Sequence, residues 1–249
     1  MISVKKTALG NILSYRAMYL EELKAQSRFH ACHERGWTDS YIIQSDHQGI
    51  GYVSVKGNDT IEDRDTVFEL FIIASFRKLL YLIYPEILQC TQARFIECQS
   101  NDISTSPILF ECAHSISADT ILFKEGVNNQ LSLPGVEFRE KKSDDKIFKH
   151  TSEPEGDYVL SDQGIIVATG GFLSHYNPPY TDLYMEVHPD QRRKGYGSYL
   201  IRELIRSCHL VGKTPSARCD IKNKASRACL LKGGMQVAGY ILKGVIIST

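Results

Sequence analysis

The sequence predicts an α/β fold of the α+β kind, built twice. Each unit is a mixed, mainly antiparallel sheet flanked by helices, the first over residues 1–125 and the second over 126–249. Three observations predict this. The 249 residues are 43% hydrophobic and 23% charged, enough to bury a sizeable core and unlike collagen, low-complexity disorder or a disulfide scaffold. Apolar runs of strand length alternate with runs at helical spacing. That succession then recurs in the same order in the second half, as expected of a duplicated unit.

In the first half, Leu9 to Phe29 has helical spacing, with Leu9, Ile12, Leu13, Tyr19, Leu20 and Leu23 on one face. Ser40–Ser45 and Ile50–Lys56 are strands joined by Asp46-His47-Gln48-Gly49, a hairpin signal. A strand at Thr66–Ile73 precedes a helix from Ser75, ended after Pro85 and Leu88. Then come a strand at Ala93–Cys98, a helix at Asp102–Ala113 and a strand at Ser115–Lys124. The stretch 126–156 is polar and aperiodic and is expected to connect the halves, with one strand at Val136–Glu140.

In the second half, strands at Asp157–Ser161 and Ile165–Leu173 flank Ser161-Asp162-Gln163-Gly164, a second hairpin. Thr181–Val187 is a strand. Gly197–Val211 is a helix with Leu200, Ile201, Leu204, Ile205 and Cys208 on one face, and Gly212 stands where a C-cap glycine belongs. Pro215–Ile221 is a strand, Lys224–Lys232 a helix stopped by Gly233-Gly234, and Gln236–Ile247 the last strand.

Composition also limits function. The 29 basic and 29 acidic residues balance, which argues against nucleic acid as the main partner. The first 125 residues hold 12 basic and 16 acidic side chains. The remainder is therefore net positive and is the better place for an anionic ligand. No stretch is apolar enough for a membrane helix and none reads as a secretory signal. Seven cysteines without a CxxC pair read as core thiols in a reducing compartment, so a cytoplasmic protein is expected.

One segment carries chemistry. Val187-His188-Pro189-Asp190-Gln191-Arg192-Arg193-Lys194-Gly195-Tyr196-Gly197-Ser198 runs from a strand end through a basic, glycine-containing turn into an amphipathic helix. Amide N–H groups of such a turn, with the helix dipole behind them, form an anion cradle. Gly195 and Gly197 are expected to let the backbone approach the ligand. Neither GxxxxGK[ST] nor GxGxxG is present. The segment reads instead as R-x-x-G-x-G, and it resembles the acetyl-CoA pyrophosphate loop of the GNAT N-acetyltransferase superfamily. The resemblance spans roughly residues 134–249, through the strand to Ile221 and the N-x-x-S helix start at Asn223 and Ser226. In the first half the matching place is Ile73-Ala74-Ser75-Phe76-Arg77-Lys78, which has no glycine. That half resembles a degenerate copy in a tandem GNAT chain.

The resemblance implies acetyl-CoA as cosubstrate, in a wedge where strands 181–187 and 215–221 splay apart. Met185, Glu186 and Val187 would hold the pantetheine arm, Arg192, Arg193, Lys194, Gly195, Tyr196, Gly197 and Ser198 the pyrophosphate, and Asn223 and Ser226 would line the wedge. It also implies transfer of the acetyl group to a primary amine of a small molecule, peptide or protein. The family usually places two helices between its first and second strands, and 136–158 has room for little beyond one strand. A tyrosine commonly follows the asparagine by seven residues as proton donor; here that residue is Leu230, leaving Tyr184, Tyr176, Tyr240 or water. Alternation along 182–187 puts Asp182, Tyr184 and Glu186 on one face. Glu186, with a raised pKa, is the expected general base and Asp182 the second choice. A non-catalytic acyl-CoA sensor or interaction module is the alternative.

Other motifs carry less. His30-Ala31-Cys32-His33 lacks a second ligand pair, so no metal is expected. Ser75-Phe76-Arg77-Lys78 lacks the companion motifs of penicillin-recognising enzymes. The loop His175–Tyr180 reads equally as a proline turn or as the rim of an acceptor site.

Overall fold

Each half of the chain opens with a strand that pairs antiparallel with the first strand of a tight hairpin. The computed structural model describes residues 1–127 and 131–247. Its two compact units are Met1–Asp119 with Tyr240–Thr249, and Thr120–Gly239. The first unit contains β1 (Ile2–Thr7), α1 (Leu13–Leu23), α2 (His30–Glu34), β2 (Thr38–Ser45), β3 (Gln48–Lys56), β4 (Thr66–Ile72), α3 (Leu80–Thr91), β5 (Phe95–Gln99) and α4 (Ser106–Cys112). The strand β6 (Ala113–Glu125) runs on into the second unit, with β7 (Val136–Glu140), β8 (Tyr158–Asp162), β9 (Ile165–Leu173), β10 (Tyr180–Val187), α5 (Tyr196–Leu210), β11 (Thr214–Asp220) and α6 (Lys224–Lys232). The last strand, β12 (Met235–Ile246), leaves the second unit and pairs its Ile241–Val245 antiparallel with β5.

Within the first unit the strands lie in the order β1-β2-β3-β4-β5, and within the second β11-β10-β9-β8-β7, with Thr120–Lys124 of β6 beside β11. Pairing is antiparallel throughout these ladders except for β4 with β5 and β10 with β11. Both hairpins turn through two left-handed residues, Asp46 and His47 in one and Gln163 and Gly164 in the other. Two positive-φ residues give a connection whose twist matches the strands. The repeated order seen in the sequence is present, each copy lengthened by a leading strand, β1 or β7.

The core follows the periodicities. Leu200, Ile201, Leu204, Ile205 and Cys208 of α5 are all buried, as a single apolar stripe requires. Gly212, with φ +70°, donates to the His209 carbonyl and ends the helix. In the first unit Ile43, Val53, Leu70, Ile83, Ile96 and Leu109 belong to one buried cluster.

Several element expectations need correction. The helix expected over Leu9–Phe29 is a 3₁₀ turn at Leu9–Ile12 followed by α1, because Lys24 takes φ +46° and its N–H closes back on the Leu20 carbonyl. The strand β1, lysine-rich and short, escapes its pattern. Pro85 lies inside α3 and does not end it. The expected connection 126–156, of which 128–130 lie outside the described residues, supplies β7 at the expected Val136–Glu140, followed by a strap at 141–157. That strap stands between β7 and β8, where the first unit has α1 and α2 between β1 and β2. No helix among the described residues is long and apolar enough to cross a membrane.

Candidate functional site

The strands β10 and β11 pair only at Tyr180 with Thr214, Thr181 with Pro215 and Asp182 with Ser216. Both continue, to Val187 and Asp220, and their facing edges part from Leu183 onward. Their outer ladders stay intact, β10 with β9 as far as Val187 and β11 with β6 as far as Asp220. The split is therefore a wedge inside a paired sheet. Its β10 edge turns main-chain groups of Leu183, Met185 and Val187 to the wedge, of the kind an extended chain can join, whereas Glu186, expected to share that role, lies in the register that bonds to β9. A cleft of about 90 Å³ sits at the wedge, lined by Asp182 to Met185, Arg218 of β11, Ser226 and Leu230 of α6, and Glu153 of the strap.

Beyond the end of β10 the chain makes a 3₁₀ turn at Pro189–Gln191 and then enters α5 through two left-handed residues, Arg193 at φ +66° and Gly195 at φ +91°. The first N–H groups of α5 have no carbonyl one turn back to receive them, and the dipole adds positive potential there. Arg192, Arg193 and Lys194 are exposed, and among the described residues no carboxylate pairs with them. Arg192 Nε donates to the Val187 carbonyl at 3.3 Å, and Lys194 Nζ to Gln191 Oε1 at 2.7 Å. These bonds keep the two cations on the loop.

The two glycines serve different ends. Gly195 is needed for its φ, since a Cβ there would meet only Leu133 Cδ2, at 3.9 Å. Gly197 is needed for packing: a Cβ would lie 2.6 Å from Cys229 Sγ and 3.2 Å from Val187 Cγ2. Tyr196 is buried and its hydroxyl donates to Asp162 Oδ2, while the buried Ser198 hydroxyl lies 3.6 Å from Cys229 Sγ. Both side chains fix the loop to its surroundings. Asn223 caps α6, its Oδ1 accepting from the Ser226 N–H at 3.0 Å, and Ser226 reaches the cleft.

On the opposite face of β10 the alternation holds, with Met185 and Val187 packed near Gly197 and Asp182, Tyr184 and Glu186 turned the other way. Glu186 is 5% exposed. Its Oε1 accepts from the Thr151 N–H at 2.9 Å and hydroxyl at 2.8 Å, and its Oε2 accepts from the Ser152 and Glu153 N–H groups, each at 3.0 Å. Burial alone would raise its pKa, but these donors outweigh it and hold the carboxyl down to about 2. The raised pKa expected at Glu186 is thus overturned; four donors occupy its oxygens. Tyr184 lies across Gly171 and its hydroxyl donates to the Glu155 carbonyl at 3.4 Å.

Asp182 is 4% exposed and its Oδ2 contacts His175 Nε2 at 2.9 Å and Arg218 Nε at 3.4 Å. Its Oδ1 and the Arg218 Nη1 are buried with no hydrogen-bond partner among the described residues. Glu153 stands at the cleft's rim; partial burial and the neighbouring Asp182 carboxylate raise its pKa. Glu153 and Arg218 were not singled out from the sequence. The strap is aperiodic, so no face marks Glu153, and Arg218 is one cation in an ordinary strand. Leu230, 3% exposed, is an apolar wall. Tyr240 belongs to the first unit, where its N–H donates to Ser100 Oγ.

Residues 125–235 match the model of the acetyltransferase (GNAT) family, and residues 8–126 match a second acetyltransferase (GNAT) domain model. The chain belongs to the GNAT acetyltransferase family. It carries two GNAT domains in tandem. Among solved structures, a GNAT-family acetyltransferase from Colwellia psychrerythraea is similar at a TM-score of 0.75 and 12% identity, over 98% of this chain and 100% of that one. A tandem GNAT protein from the clavulanic acid biosynthesis pathway is similar at 0.58 and 9%, over 100% of both chains. A GCN5-related N-acetyltransferase from Sphaerobacter thermophilus gives 0.56 and 11%, over 99% of this chain and 96% of that one. No curated protein matches the sequence.

The first GNAT domain lacks the cradle. After β4 the chain passes directly into a 3₁₀ turn at Ala74–Leu79 with no left-handed glycine. Its β4 also leaves β5 after Val67, but every residue of β4 is buried. Glu69 there accepts from Arg16 Nε and Nη2, both at 3.1 Å, and from the Tyr52 hydroxyl at 2.9 Å, with His33 Nε2 at 3.0 Å. His30 and His33 are thus partners of that buried cluster. All seven cysteines are free, and burial pushes each thiol above its ordinary pKa, Cys208 to about 11.

Proposed function

We propose that the second GNAT domain transfers an acetyl group from acetyl-CoA to a primary amine of a small molecule or peptide. The observation that carries this reading is the juxtaposition of the β10/β11 wedge with the glycine-turned, cationic N-terminus of α5. The β10 edge beyond Asp182 would receive the amide groups of the pantetheine arm as an added strand does. The N–H groups at the start of α5, with Arg192, Arg193 and Lys194 beside them, would receive the pyrophosphate. Main-chain N–H groups of β10 near the cleft would polarise the thioester carbonyl. Leu230 offers no proton and the Tyr184 hydroxyl is turned to the Glu155 carbonyl, so solvent is the proton source for the leaving thiolate.

The balanced charge supports an acceptor that is neither nucleic acid nor membrane, and the seven free cysteines support a cytoplasmic setting. The test is release of CoA thiol from acetyl-CoA in the presence of a panel of primary amines, with the products weighed by mass spectrometry. Amine-dependent thiol release with an acetylated product is expected. Tight binding without turnover of any amine would support the non-catalytic sensor, the reading that Leu230 favours.

A further inference from the structure

The Glu186 carboxylate gathers the N–H groups of Thr151, Ser152 and Glu153, and in doing so ties the strap to β10 beside the cleft. The residue thus delivered to the cleft's rim is Glu153, next to Asp182, Tyr184 and Arg218. Two further bonds hold the strap, since the Tyr184 hydroxyl, on the same face of β10, donates to the Glu155 carbonyl and, within the strap, His150 Nδ1 lies 3.0 Å from the Glu153 carbonyl. A second, independent feature points to a ligand here. Asp182 is 4% exposed, lines the cleft, and leaves Oδ1 without a hydrogen-bond partner among the described residues. A buried carboxylate oxygen left unpaired is costly, and a cationic donor entering the cleft removes that cost.

We propose that the acceptor enters as a primary ammonium ion, held by Asp182 Oδ1, and that Glu153 is the general base that takes its proton. Glu186 is then a positioning residue, acting through the strap, and His175 and Arg218 hold the Asp182 carboxylate in place. The proposal rests on the acetyl-transfer reading of the same cleft.

The step balances. Glu153 takes one proton from the ammonium and becomes a carboxylic acid. The freed amine nitrogen forms a bond to the thioester carbonyl carbon, and the carbon–sulfur bond breaks with its electron pair on sulfur. The nitrogen's second proton passes through solvent to the thiolate, giving amide and CoA thiol. Glu153 returns its proton to solvent. The charged and titratable groups that face Glu153 are Asp182, Tyr184 and Glu186 of β10, Arg218 of β11 and His150 of the strap. Burial, then Asp182, push its pKa up, against Arg218, towards the range useful to a base.

The test uses the full chain with acetyl-CoA and the best amine of the panel. Glu153→Gln is expected to lower kcat by about 10²- to 10⁴-fold and to abolish the fall in rate at acid pH, with the Kd for acetyl-CoA unchanged. Glu186→Gln is expected to lower kcat while keeping that acid limb. Asp182→Asn is expected to raise KM for the amine, and Asp144→Asn, exposed on the same strap, to leave all parameters alone. Normal kcat in Glu153→Gln, or loss of the acid limb in Glu186→Gln instead, overturns the assignment while acetyl transfer stands. A wild-type chain that binds acetyl-CoA and acetylates no amine overturns the transfer reading and the base together.

Discussion

The Glu186 carboxylate and the Glu153 main chain meet at 3.0 Å, so a strand residue fixes where a loop carboxylate stands. Because Glu186 is held down to about 2 by its donors, its ionised form stabilises the fold. The group's pKa is depressed, so this contribution is complete above the unfolded value near 4.5 and fades as pH falls towards 2. Glu186→Gln is therefore expected to lower stability at pH 7 by on the order of 2 kcal/mol and to flatten the acid end of the stability profile. Urea unfolding from pH 7 to pH 3 checks it. Parallel profiles for wild type and variant would contradict the pairing.

Gly197 and Cys229 set a second expectation. A Cβ at 197 would lie 2.6 Å from Cys229 Sγ, so Gly197→Ala is expected to cost about 1–3 kcal/mol by overpacking. Cys229→Ala removes the clashing sulfur and should recover most of that loss. A double-mutant cycle by thermal unfolding measures the coupling. Equal losses in both backgrounds would show that Gly197 is required for something other than this contact.

The buried cluster of the first domain gives a third. Glu69 is fully buried; burial favours its neutral form, but Arg16 and His33 outweigh that and hold its pKa well below the ordinary carboxylate range. Removing Arg16 leaves an uncompensated buried charge, so Arg16→Ala is expected to cost about 3–5 kcal/mol. Denaturant unfolding read through Trp37, which lies in the same domain, follows the loss. A change below about 1 kcal/mol would mean that the pair is not closed in solution.

Much of this was legible in the chain. The hairpins at Asp46-His47 and Gln163-Gly164, the apolar stripe of α5 and the R-x-x-G-x-G turn are local signals, and each is written in consecutive residues. The wedge at Asp182 and Ser216 followed only from the family resemblance, because a strand's partner on each side is a tertiary fact. The two carboxylates show the limit most clearly. Alternation correctly put Glu186 on the polar face of β10 but said nothing of the strap that occupies its oxygens. Glu153, in a stretch without periodicity, had no pattern to distinguish it. The packing of Gly197 against Cys229 Sγ was likewise illegible, because a contact between two helices is a tertiary fact.

Titration calorimetry with acetyl-CoA tests most directly whether the wedge and the α5 turn of the second domain form the acyl-CoA site. One site per chain is expected, because the first domain turns from β4 into a 3₁₀ helix without a cradle. Arg192→Ala with Lys194→Ala should weaken binding about tenfold or more. Two sites per chain, or an affinity unchanged in the double variant, would contradict it.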